Sequence, residues 1–188
     1  MVKRCHTEFT SQRKELLEKS MLDLLSVRRY QDISVKDICQ EAQIPRRTFY
    51  HYFQSKEDIL DSIVEGMIMD CFLEAVVELD IQVDRLKESF LQIFRFWQND
   101  NRRKLDILLN NSLESKLITH ALNWVHSEDF RITQAYHPDP KMVEIGIMVG
   151  VSDFFSLLLY WSQNGYQESP EKMAEYAVWV LPRIFTMS

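Results

Sequence analysis

Residues 34–60, SVKDICQEAQIPRRTFYHYFQSKEDIL, constrain the fold more than any other stretch of this 188-residue chain. Ser34 can cap a helix, because its hydroxyl accepts a hydrogen bond from an N–H that the first turn leaves unpaired. Val35, Ile38 and Ala42 then share one face at helical spacing. Gln43-Ile44-Pro45 breaks the pattern, since proline suits a first helical turn and not an interior one. A second short helix follows from Arg46, with Phe49 and Phe53 turned inward and Arg46, Arg47, Thr48, Tyr50 and His51 turned outward. Ser55 can cap a third helix whose first turn carries Glu57 and Asp58, where acidic groups complement the helix dipole.

Two capped helices in a tight turn, the second basic and aromatic, make a helix-turn-helix whose second helix suits the major groove. Thr48, Tyr50, Tyr52, Phe53 and the run Ser55-Lys56-Glu57 resemble the hallmark of the TetR/AcrR family of bacterial transcriptional regulators. The resemblance is strong over about the first 65 residues and beyond them extends only to helix lengths and order. Arg46 and Arg47 are placed where side chains reach deepest, and their guanidiniums suit bidentate bonding to guanine. Tyr50, one turn on, is suited to a thymine methyl or a phosphate, whereas Thr48, His51, Tyr52 and Lys56 suit the phosphate backbone. Lys36 stands at the groove edge, and with Ser34 completes the candidate DNA-contacting set. The resemblance implies similar roles at these positions. Two residues depart from the family pattern: Gln43 stands where glycine is common and is expected at positive φ, and Pro45 replaces a frequent capping serine.

The net charge of −6 argues against a nucleic-acid binder until its distribution is considered. Residues 1–60 hold 11 basic and 9 acidic residues, net +2, and residues 61–188 hold 11 and 19, net −8. Attraction to phosphate depends on the local face and not on the total. Three cysteines, Cys5, Cys39 and Cys71, are odd in number and far apart, which fits a reducing cytoplasm better than a disulfide framework. The start, MVKRCHTEF, has no apolar segment of the secretory kind, and the densest apolar run, Phe154 to Trp161, is too short to span a membrane.

Only four glycines and five prolines interrupt the chain, no strand pattern is convincing, and the expected fold is all-α with about nine helices. A helix capped at Thr10 or Ser11 and ending near Arg28 should cover the back of the motif, completing a three-helix head. Further helices are expected at 56–79, 84–98, 101–110, 112–135, 139–163 and 170–186. Residues 1–55 are thus expected to form the DNA-binding domain and residues 56–188 a ligand-sensing and dimerisation domain, with helix 56–79 linking the two. Helix 139–163 carries Gly146, Phe154, Leu158 and Trp161 on one face and Ile145, Val149, Phe155 and Leu159 on another, a pattern expected of a helix buried on both sides. The resemblance implies that helices 139–163 and 170–186 pair with their copies in a four-helix homodimer interface.

Phe94, Trp97, Leu108, Leu117, His120, Trp124, Met148 and Phe155 are candidates to line a cavity for a small hydrophobic effector, being aromatic or apolar with few polar handles. His120 and His126 are six residues apart and fall on different faces, and His137 lies in a turn, so neither metal nor other cofactor is expected. No Gly-x-Ser-x-Gly elbow, His-Glu-x-x-His, Walker lysine or dinucleotide fingerprint is present, and an enzyme is not expected. The function expected is a sequence-specific regulator, a repressor released from double-stranded operator DNA by its effector. The alternative is a TetR-like coactivator that binds another regulatory protein and not DNA.

Overall fold

The computed structural model describes residues 2–75, 83–99, 101–126 and 139–180. Among these it contains nine α-helices and no strand: α1 (Val2–Leu25), α2 (Val35–Glu41), α3 (Arg46–Phe49), α4 (Lys56–Ala75), α5 (Val83–Gln98), α6 (Arg102–Asn110), α7 (Glu114–Val125), α8 (Pro140–Gln163) and α9 (Pro170–Val180). The all-α expectation holds, with α1 to α3 forming the head.

Helix α1 starts at Val2 and not at Thr10 or Ser11. No glycine or proline lies between Val2 and Leu25, so nothing stops the helix from propagating backwards once its inner face is packed. That face is Leu17, Met21, Leu24 and Leu25, all buried, whereas Leu16 lies outward. The cap at Ser34 is reciprocal. Ser34 Oγ accepts from the Asp37 amide at 3.2 Å, and the Ser34 amide donates to Asp37 Oδ2 at 2.8 Å. The Ser34 hydroxyl and amide both donate to Asp37 Oδ2 and, with Arg28 alongside, hold the Asp37 carboxyl down to about 2. Gln43 has φ 54° as expected, and the amides of Gln43 and Ile44 return to the carbonyls of Gln40 (3.2 Å) and Cys39 (2.9 Å). This closes α2 as a Schellman motif around a residue with a side chain, at a cost of roughly 1–2 kcal/mol.

Helix α3 is shorter than the expected Arg46–Phe53 segment. Its last turn tightens, with His51 N bonded to Thr48 O (3.1 Å) and Tyr52 N to Phe49 O (2.9 Å). The chain then enters α4 through a second reciprocal cap. Asp58 accepts from the amides of Gln54 (2.7 Å) and Ser55 (3.2 Å), and Ser55 Oγ accepts from Asp58 N (3.2 Å).

Helix α4 leaves the head and enters the body, packing on α1 and on α5 and α7. One continuous apolar core results, from Leu17, Ile38, Phe49 and Leu60 in the head to Phe94, Trp97, Leu158 and Met173 in the body. The expected helix 112–135 begins at Glu114 and closes at Val125, where the amide of His126 bonds to Leu122 O at 3.1 Å. The remainder of that expected helix, with His137, lies outside the described residues, as do 76–79 of helix 56–79 and 181–186 of the last helix.

Within the single chain, helix α8 buries one face. Gly146, Phe155, Leu158 and Trp161 face the core, while Ile145 (43 %), Met148 (41 %) and Val149 (41 %) are exposed, and on α9 Trp179 is 86 % exposed. Phe155 joins the inner face because the apolar arc is wider than the chain's own core. Averaged along its length, Glu144–Gln163 is also long and apolar enough to cross a membrane, with mean hydropathy 1.5, which a count of consecutive apolar residues had missed. Asp153 sits at its middle.

Candidate nucleic-acid interface

Phe49 is fully buried, its ring 5.2 Å from Tyr50 edge-on and 6.1 Å from Phe53. These anchors fix the rotation of α3 and thereby its outward face. On that face Arg46, Arg47 and His51 are exposed, Tyr50 is half exposed, and Thr48 and Tyr52 are half-buried. Arg46 Nη2 donates to Tyr50 Oη at 3.3 Å across one turn, which orients the guanidinium without covering it. No acidic side chain falls between Pro45 and Ser55, so the surface is cationic over its whole length. Lys36 is exposed on α2, and Ser34 is committed to its cap, leaving only its exposed position for a backbone contact.

Lys56 is placed differently from a free phosphate ligand. Its Nζ donates to Tyr30 O and to Ile33 O, each at 2.9 Å, and lies 4.3 Å from the Tyr30 ring centroid. One N–H remains for a phosphate. Replacing Lys56 would release two loop carbonyls as well as any DNA contact, so Lys36 is the cleaner residue for a phosphate test. Tyr30 completes this junction. Its hydroxyl donates to Glu57 Oε1 at 2.9 Å, and burial together with the neighbouring Glu57 carboxylate raises its phenol well above the usual range. Its role was not legible in advance, because a lone tyrosine in a loop carries no periodic signal.

In the body, Phe94, Trp97, Leu108, Leu117 and Phe155 share the buried core and Trp124 packs against it. Trp97 and Phe155 meet edge to face at 6.4 Å. The Trp97 Nε1–H is buried and finds no acceptor among the described residues. Met148 does not join this group. It falls three residues after Ile145, so it shares that residue's exposed face. His120 lies on α7 with Nε2 3.2 Å from Asp61 of α4, beside an ion pair between Lys116 and the same carboxylate. A separate cleft of about 440 Å³ lies between α1, α4 and α6, walled by Glu18, Leu22, Ser62, Met67 and Arg103, and none of the eight candidates lines it. Among the described residues no group of three His, Cys, Asp or Glu side chains is placed to hold a metal ion.

Asp61 gives the α4–α7 seam a pH dependence. Burial alone would raise its carboxyl, but hydrogen bonds from Lys116 and His120 hold it below the ordinary aspartate value. A depressed carboxyl contributes stability that is present above the unfolded-state value and lost as pH falls through the folded one. Wild-type Tm should therefore fall more steeply than that of Asp61→Asn between about pH 5 and pH 3. Parallel Tm curves would show that the seam contributes nothing.

Comparison with known proteins follows this geometry. Residues 22–63 match the family model described as bacterial regulatory proteins, tetR family. The HTH-type dhaKLM operon transcriptional activator DhaS of Lactococcus lactis subsp. lactis (strain IL1403) is 44 % identical over 52 residues, covering 28 % of each protein. The uncharacterized HTH-type transcriptional regulator YxbF of Bacillus subtilis (strain 168) is 24 % identical over 176 residues, 86 % of this chain and 42 % of that one. The chain thus spans less than half the length of the curated relatives it matches. Among solved structures, a TetR transcriptional regulator from Streptococcus agalactiae 2603V superposes with TM-score 0.64 at 19 % identity, over 96 % of this chain and 99 % of that one. That likeness carries the whole nine-helix fold, and the family match carries the head. Residues 22–63 thus carry the DNA-binding segment of the tetR family of bacterial regulatory proteins, and the chain as a whole has the fold of such a regulator.

Proposed function

We propose that this chain is a sequence-specific DNA-binding transcriptional regulator that acts as a homodimer, represses, and leaves its operator when a small hydrophobic effector binds the body. The observation that carries the DNA reading is the exposed, acid-free surface of Arg46, Arg47, Tyr50 and His51 on a helix anchored by buried Phe49. A guanidinium already oriented by Tyr50 loses less freedom when it pairs with a guanine. Retardation of the DNA beside its own gene is the test. Arg46→Ala should cost on the order of 1–3 kcal/mol at one base pair and leave other positions unchanged. Lys36→Ala should weaken all DNA alike and lower the log–log salt slope by about 0.9. If Arg46→Ala lowers specific and nonspecific affinity equally, this division of roles fails.

The dimer reading rests on the apolar outer face of α8 and on Trp179 of α9, a surface unusual for a chain that stays alone in water. Two copies burying that face give each operator half-site one head. A cytoplasmic location follows from this reading, since operator DNA lies there. For the effector, Trp97 offers a buried indole N–H with no acceptor, so a molecule with an apolar body and one acceptor oxygen fits best. Entering a packed core, it would displace α5 from α4 and so alter the spacing of the heads. Binding shifts that equilibrium only by its preference for one spacing, and operator DNA must weaken effector binding by the same factor. Activation is a second reading, favoured by the name of DhaS, the relative 44 % identical over 52 residues. A reporter fused to the operator, in a strain lacking the gene, separates the two: expression rises for a repressor and falls for an activator. A coactivator that ignores DNA would retard no fragment.

A further inference from the structure

One side chain of the body, Asn111, hydrogen-bonds to both ends of the head's first loop. Asn111 caps the end of α6, and its carboxamide spends all three of its bonds within the seam. Nδ2 donates to Ile107 O (2.9 Å) and to Leu25 O (3.1 Å), the last residue of α1, and Oδ1 accepts from the Tyr30 amide (2.9 Å). Tyr30 hands the connection on. Its carbonyl accepts from Lys56 and its hydroxyl donates to Glu57, the first two residues of α4, immediately after the recognition segment. The corner behind Asn111 is set in one conformation, with Ser112 at φ 56° and the Leu113 amide bonded to Leu108 O at 2.9 Å. Beside Asn111 the α1–α6 side of the seam is partly open. The cleft of about 440 Å³ separates α1, α4 and α6, and the other polar link from α6 to the head, Arg103 to Asp23 at 2.9 Å, is exposed to solvent.

We propose that Asn111 is the positioning residue that fixes the angle of the head on the body, and that through this angle it sets which half-site spacing the regulator accepts. Movement of the α6–α7 corner is then passed to the head alongside any tilt of α4, because the carboxamide is bonded at once to the end of α1 and to the loop held by α4. The spacing consequence rests on the operator reading above; the fixed angle does not.

Two readouts on the full-length protein test this, one without DNA. In Asn111→Asp the acceptor facing Tyr30 is kept, but both donations, to Leu25 and Ile107, are lost and a carboxylate oxygen faces two carbonyls; Asn111→Ala loses all three bonds without adding a charge. Met173→Ala, in the buried core of α9 far from the seam, serves as a variant of reduced stability with the seam intact. Amide relaxation should show head and body tumbling as one unit in wild type and in Met173→Ala, and faster head motion in both Asn111 variants. With operators whose half-sites are moved by two base pairs, the preference for the natural spacing should shrink by roughly fivefold or more in the Asn111 variants, the lower range of a typical coupling. A head that stays coupled in both Asn111 variants, with only the melting temperature lowered, overturns the proposal. Faster head motion in a protein that binds no operator at all would leave the clamp standing and remove the DNA reading instead.

Discussion

Phe49→Ala is expected to melt the head. The ring is fully buried in the core and contacts Tyr50 and Phe53, so truncation removes its transfer free energy and leaves a cavity in the head. Losses of about 3–5 kcal/mol are typical of such changes, a large part of what a domain of this size has. Chemical denaturation should show the head unfolding early, and DNA retention should vanish with it. Tyr50→Ala, one residue away but half exposed, should change stability by less than about 1 kcal/mol while still weakening operator binding. The pair separates the residue that holds the reading surface from one that forms it. A Phe49→Ala protein within about 1 kcal/mol of wild type would mean that the head is packed differently.

The second large effect is expected on α8. Ile145→Asp with Val149→Asp places two charges on a face that the chain's own core does not use, so each protomer should keep its fold and melting temperature. Burying those carboxylates between two copies would be costly, and the dimer should dissociate. Once the heads are no longer tethered, the second half-site is no longer bound at high effective concentration, and operator affinity should fall by about 10²–10⁴-fold. Sedimentation velocity and operator titration check this together. A wild-type monomer at micromolar concentration would remove the basis of the expectation.

The two caps and the strained turn of the head were legible because each depends on residues close in sequence. Ser34 and Ser55 advertise helix starts, and Gln43 stands where the chain must turn left-handed whatever lies around it. The rotation of α3 was legible too, since Phe49 and Phe53 are one helical turn apart. The far seam was not. Tyr30 and Asn111 meet across 81 positions, and Asn110-Asn111 reads in sequence only as a helix break. Lys56 was assigned outward by its place in the motif, but carbonyls contributed by a distant loop draw it inward. For α8, apolar composition says that both faces avoid water without saying which neighbour covers each, and so Phe155, grouped with Ile145 and Val149, lies in the core, whereas Met148, expected to line a cavity, is exposed. Early α1 shows the converse, a helix already formed ahead of both candidate caps, Thr10 and Ser11.

Footprinting the full-length protein on the DNA beside its own gene tests most directly whether two heads read an operator. The expected result is a pair of protected half-sites related by a two-fold axis, their centres about 34–36 Å or a multiple of that apart along one side of the duplex, with protection lost in Arg46→Ala. Protection of one isolated half-site, protection unaffected by Arg46→Ala, or no protection at a concentration where the protein is dimeric would contradict it.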